Sequence, residues 1–120
     1  MRSKNINKFI RICHEGSDGG LKVYYNDSEV GKSNISIKDT NWHHYVFTWK
    51  NGEQRFYIDS QEVLSSAKEA SHDMATRSWI GGSQWTLNQW HGAVSSFFTF
   101  NRPLLKDEIK ALYRIGRPND

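Results

Sequence analysis

Residues 41–59, NWHHYVFTWKNGEQRFYID, decide how this chain is read. Two runs of aromatic and β-branched residues flank Asn51-Gly52, a dipeptide that favours a tight β-hairpin turn because both of its positions accept positive φ. A two-residue turn there sets Phe47 against Phe56 and Tyr45 against Ile58 on one apolar face. The other face pairs Val46 with Tyr57, Thr48 with Arg55 and His44 with Asp59. Cross-strand pairs of this kind are the unit that stabilises a sheet, so the stretch predicts an antiparallel hairpin.

The residues on either side extend the pattern. Upstream, residues 8–13 (KFIRIC) and 21–25 alternate apolar and polar side chains and read as strands, separated by the glycine-rich loop 14–20. A turn at Asn26-Asp27-Ser28 and a short strand over 33–37 follow. Downstream, 61–65 and 78–81 read as strands, 67–75 as a loop or a single helical turn, and 83–89 as a loop. Residues 92–100 (GAVSSFFTF) form the next strand-like run. After Pro103 the period changes: Leu105, Ile109, Leu112 and Tyr113 recur at helical spacing, and Gly116 and Pro118 end the helix. Asp107 and Glu108 suit its first turn, although no side chain at the N-cap can accept a hydrogen bond.

Composition narrows the function classes. The 120 residues form one domain, 1–120, with burial concentrated in five Trp, five Tyr and six Phe. The net charge of +3 is mild and its cations are scattered, so no nucleic-acid partner is expected. Cys13 is the only cysteine, which excludes an internal disulfide and a cysteine-based zinc site. No apolar run reaches membrane length, and MRSKNINKFI offers no apolar h-region for secretion, so either no classical signal is used or a longer precursor was trimmed.

Three segments carry a family resemblance: 42–49 with 55–59, the run Trp79-Ile80-Gly81-Gly82-Ser83, and 92–97 leading through Asn101-Arg102-Pro103-Leu104 to Asp107-Glu108-Ile109. In this order they resemble the laminin G-like, concanavalin A-like lectin and glucanase superfamily. The resemblance implies an all-β jelly-roll sandwich with a short C-terminal helix. It also implies additional strands ahead of residue 21, so with only about twenty residues there this is expected to be either a compact variant or a domain whose missing pairing a neighbouring chain supplies. Edge-strand completion by another chain, or a homo-oligomer, is therefore the expected partner arrangement. The chain departs from the family at Ser95-Ser96, where an acidic pair is usual, at Leu105 for a capping serine, and at Ser60 for a glycine.

Glycoside hydrolases of this superfamily place two carboxylates on one strand face. Here the strand 55–59 carries one, Asp59, with Glu53 at the turn, so no catalytic residue is expected. His43 and His44 are adjacent, and neighbouring strand residues face opposite ways, so they are not expected to share a metal. His44 opposite Asp59 reads as a cross-strand hydrogen bond. Related sandwiches often bind calcium through loop oxygens, and Glu15, Asp18, Asp27 and Asp73 are the candidates for that cation. The loop SQWTLNQW (83–90) is the best binding candidate. Trp85, with Gln84, Asn88 and Gln89, combines a flat apolar platform with orienting polar groups, a pattern suited to sugar rings. Trp90 matches a core aromatic of the family, and Trp42, Trp49 and Trp79 read as core or sheet surface.

The expectation is a non-catalytic binding or adhesion module, extracellular or on a virion surface, that takes a glycan or protein ligand without inserting in a membrane. The alternative is a structural subunit of a larger assembly, such as a phage or virion decoration or fibre protein.

Overall fold

The structure, a computed structural model, describes residues 10–15, 20–25, 28–50, 52–67 and 92–116. Strands β1 (Ile10–Glu15), β2 (Gly20–Tyr25) and β3 (Ser28–Ser36) form one antiparallel sheet. Strands β4 (Tyr45–Lys50), β5 (Glu53–Ile58) and β6 (Gln61–Ser66) form a second, and helix α1 (Lys106–Ile115) follows. The described residues are thus all-β apart from one short C-terminal helix.

The central hairpin has the register its turn dictates: Tyr45 opposes Ile58, Phe47 opposes Phe56 and Lys50 opposes Glu53. Two residues remain for the turn, and Gly52 takes φ 83°, which a side chain would resist. The next connection is equally tight. Ile58 opposes Gln61, and the two residues between them, Asp59 and Ser60, have φ 51° and 67°. Positive φ at both positions matches the right-handed twist of the flanking strands, but Ser60 bears the steric cost that a glycine would avoid.

The core forms where the sheets face each other. Leu21, Val23 and Val30 come from the first sheet, and Phe56, Ile58, Val63 and Leu64 from the second. Sheet separation is smallest between β3 and β6, where a Cβ on Gly31 would lie 2.8 Å from Leu64 Cδ1. At the other side, His14 Nε2 meets the Tyr45 hydroxyl at 3.2 Å and joins β1 to β4. Three register shifts shape the layers. Val63 is the extra residue between Phe56↔Leu64 and Tyr57↔Glu62, so Val63 and Leu64 are both buried. Val30 is likewise extra between Val23↔Gly31 and Tyr24↔Glu29. Leu21 lies opposite three residues of β3, and there the Ser33 hydroxyl accepts a bond from Leu21 N at 3.2 Å and donates to Ile35 O at 2.6 Å. A buried N–H left without a ladder partner is thereby satisfied.

Several expectations change. β1 and β2 extend into the predicted 14–20 loop, because His14 and Glu15 pair with Leu21 and Gly20. β3 is nine residues long, starts at the predicted turn residue Ser28 and ends before Ile37. The largest correction concerns 92–100, which belongs to no strand or helix. Val94, Phe97, Phe98 and Phe100 are 52%, 59%, 70% and 48% exposed. High β propensity records a fit to a pleated surface, and no neighbouring ladder among the described residues supplies that surface here. The predicted strand 78–81 and the segment 68–75 lie outside the described residues.

α1 starts as its polar residues predict. Leu105 offers no side-chain acceptor, but Glu108 Oε1 reaches back to Leu105 N at 2.8 Å, the returning half of a capping box. Arg102 grips the same carboxylate at 2.8 and 2.6 Å and, with that backbone bond, lowers the Glu108 pKa to about 2. Ile109 is fully buried.

Candidate functional site

The loop before β4 and the β5–β6 turn are joined by one side chain. His43 Nδ1 lies 2.7 Å from Asp59 Oδ2, and its Nε2 lies 2.7 Å from Asp39 Oδ1. Two carboxylates at the two ring nitrogens require both nitrogens to donate, which is the imidazolium form. Burial opposes that charge, yet the bonds to Asp59 and Asp39 outweigh it and raise the His43 pKa above its ordinary 6.5. Asp39 is lowered in turn, chiefly by the His43 bond and then by the Asn41 N–H at 2.8 Å.

The expected partnership of His44 with Asp59 is only partly realised. Asp59 N donates to His44 O at 2.8 Å, and His44 N donates to Asp59 Oδ1 at 2.9 Å. The side chain that bonds Asp59 is that of His43. β4 begins only at Tyr45, so strict alternation does not yet govern 43 and 44, and the positive φ of Asp59 turns its carboxylate toward the incoming loop. His44 instead packs near Tyr113, with ring centroids 6.0 Å apart, and its Nδ1 is buried without a hydrogen-bond partner. Burial lowers its pKa, the reverse of its neighbour.

Two surfaces could receive a ligand. On the inner face of β4, the Trp49 ring stacks on Phe47 with centroids 5.6 Å apart and 18° between planes, and Trp49 is 40% exposed. A half-exposed indole stiffened from beneath makes an apolar platform of the kind sugar rings stack against. On the outer face, the segment 103–106 lies beside β4 and β5, and an open groove of about 520 Å³ runs between them. Lys50, Arg55 and Lys106 line it against one carboxylate, Glu53. Arg55 is already committed to Glu62 at 2.8 Å and Glu53 at 3.3 Å, and Lys50 to Glu53 at 3.5 Å.

The residues singled out in the sequence for binding, Gln84, Trp85, Asn88 and Gln89, lie outside the described residues, as do Asp18, Asp27, Asp73 and Trp79. Glu15 is the last residue of β1. Trp42 is 43% exposed. Among the described residues, no group of three or more His, Cys, Asp or Glu side chains could hold a metal ion. None of their helices is long and apolar enough to cross a membrane.

A family model of laminin G type, described as the concanavalin A-like lectin/glucanases superfamily, matches residues 3–110. The chain belongs to that superfamily. The superfamily holds lectins and glucanases alike, so membership leaves both binding and hydrolysis within its range. A search of curated proteins found no match. Among solved structures, the chain is similar to the crystal structure of an S-layer domain-containing protein from Clostridium thermocellum (residues 221–444), at 25% identity with a TM-score of 0.60. The match covers 89% of this chain and 57% of that one, so this superfamily member spans little more than half of its structural neighbour.

The sequence left Trp49 as core or sheet surface, and the structure places it 40% exposed. Its exposure depends on where the opposing sheet ends, which no local pattern encodes.

Proposed function

We propose that this chain is a non-catalytic binding module of a cell-surface protein and that its ligand is a carbohydrate. The observation that carries the reading is the exposed Trp49 ring stacked on Phe47. Superfamily membership and the S-layer domain-containing neighbour support a binding or structural module. In this reading the loop set Trp85, Gln84, Asn88 and Gln89 contributes a second platform, and any calcium dependence comes from Asp18, Asp27 or Asp73.

The charged groups favour binding over hydrolysis. A glycosidase needs one carboxyl group held protonated near neutral pH beside a second that stays ionised. The Arg55 bond lowers Glu53, the His43 bond lowers Asp39 and the Arg102 bonds lower Glu108. That is the wrong direction for a general acid.

A glycan array with and without calcium tests the proposal, using the wild type, Trp49→Ala and Trp85→Ala. Selective signal from the wild type that drops at least about tenfold in either variant is expected, since an aromatic platform typically dominates such contacts. No wild-type signal, or equal signal from all three proteins, would sink it. Release of reducing sugar that depends on Asp59 would replace it with a hydrolase.

A second reading has its own observation. The apolar run 92–100 is exposed, as suits a subunit of a larger surface assembly, cellular or viral. Native mass in the absence of glycan separates the two.

A further inference from the structure

We propose that residues 92–100 form a self-pairing edge, through which two copies of this chain join antiparallel about a two-fold axis centred on Phe97. The proposal goes beyond ligand binding and stands without it.

The run has the composition of a buried strand in an exposed setting. In extended conformation Val94, Phe98 and Phe100 share one face and Phe97 occupies the other. All four are about half exposed or more. A monomer rarely leaves so contiguous an apolar patch uncovered. Among the described residues the backbone here joins no ladder, which leaves N–H and C=O groups for strand addition.

The sequence favours its own copy as the occupant. Residues 93–100 carry no charge, so an antiparallel copy brings no like charges together. Centring the axis on Phe97 sets Phe97 against Phe97, Ser96 against Phe98, Ser95 against Thr99 and Val94 against Phe100. Aromatic–aromatic, hydroxyl–hydroxyl and aromatic–β-branched pairs are favourable cross-strand combinations. A one-residue slip would set Val94 against Asn101 and Ser95 against Phe100 instead. The isologous arrangement also closes on itself at two copies.

The area sets the strength. Four side chains burying about 100 Å² each give roughly 800 Å² for the pair, below the ~1,200 Å² of stable complexes. The dimer is therefore concentration dependent.

Sedimentation equilibrium from about 5 to about 500 µM should show the mass rising from 14.0 kDa toward twice that value. Phe98→Lys should weaken association at least tenfold. Phe98→Ser provides a second variant, and an unchanged circular dichroism spectrum establishes that each variant is folded. In a Cys13→Ser background, Phe97→Cys should oxidise to a covalent dimer, because facing strand residues lie within disulfide reach. Val94→Cys should not, since its two copies lie about 20 Å apart in this register. A monomer throughout the range would overturn the proposal and give the run a different partner. Equal cross-linking of both cysteine variants would overturn the register, and a dimer that survives Phe98→Lys and Phe98→Ser would place the interface elsewhere.

Discussion

The β4–β5 hairpin and the run 92–100 are built from the same kinds of residue and end in opposite states. Tyr45–Lys50 is laddered along its length, and its partner β5 buries Phe56 and Ile58 to 1% and 2% exposure. The later run has three Phe within four residues and joins no strand among the described residues. The difference lies in what surrounds each. Asn51-Gly52 delivers a partner strand within two residues, the Asp59-Ser60 turn delivers another, and the facing sheet covers one side. The run 92–100 has no such turn next to it among the described residues. β propensity makes a segment willing to be a strand, but a partner makes it one.

The sharpest way to break this contrast is to truncate one phenylalanine from each region. Phe56→Ala should cost about 3–5 kcal/mol in urea denaturation, because it opens a cavity in a closed core. Phe98→Ala at low micromolar concentration should change stability by less than about 0.5 kcal/mol, as surface changes do. Comparable losses would show that the run is packed and that the contrast is false.

Next in size is the contact that fastens the hairpin's sheet to the other layer. Gly31→Ala forces a methyl group against Leu64, with an expected loss of about 1–3 kcal/mol. The double variant Gly31→Ala/Leu64→Ala should recover part of the Gly31→Ala loss, as coupled neighbours do.

The His43 clamp holds the hairpin's open end. Asp59→Asn should cost about 1–2 kcal/mol by weakening a charge-assisted bond. Because His43 is raised in the folded state, its stabilisation is complete below about 6.5, its unfolded value, and is lost as pH rises through the folded pKa. His44 is lowered, so its contribution runs the other way and is lost as pH falls from about 6.5. Urea midpoints across pH 6 to 8.5 should therefore fall with rising pH more steeply in the wild type than in His43→Gln. Parallel profiles would remove the clamp from the account. One substitution should be a gain: Ser60→Gly relieves a positive φ at the second turn and should add about 0.5–1 kcal/mol to thermal stability.

Much of the fold was legible because one dipeptide fixes it. Once Asn51-Gly52 is a two-residue turn, every pair from Tyr45↔Ile58 to Lys50↔Glu53 follows. The helix was legible from its period, with Ile109 on the buried stripe. The bulges were not, since an extra residue such as Val63 alters no pattern until the opposing sheet needs Val63 and Leu64 together. The clamp was assigned to the wrong histidine for a related reason: alternation applies inside a strand, and His43 and His44 precede one. Less of the candidate site could be read, because Trp49 differs from a core tryptophan only through the reach of a distant sheet.

The Ser33 bulge shapes how β3 meets solvent. Among the described residues β3 is an edge strand of its sheet, and a regular edge of nine residues would template the addition of molecule after molecule. With Leu21 held by a serine hydroxyl and Lys32 exposed to solvent, that edge is bent out of register and charged. Growth from β3 into a fibril is therefore disfavoured.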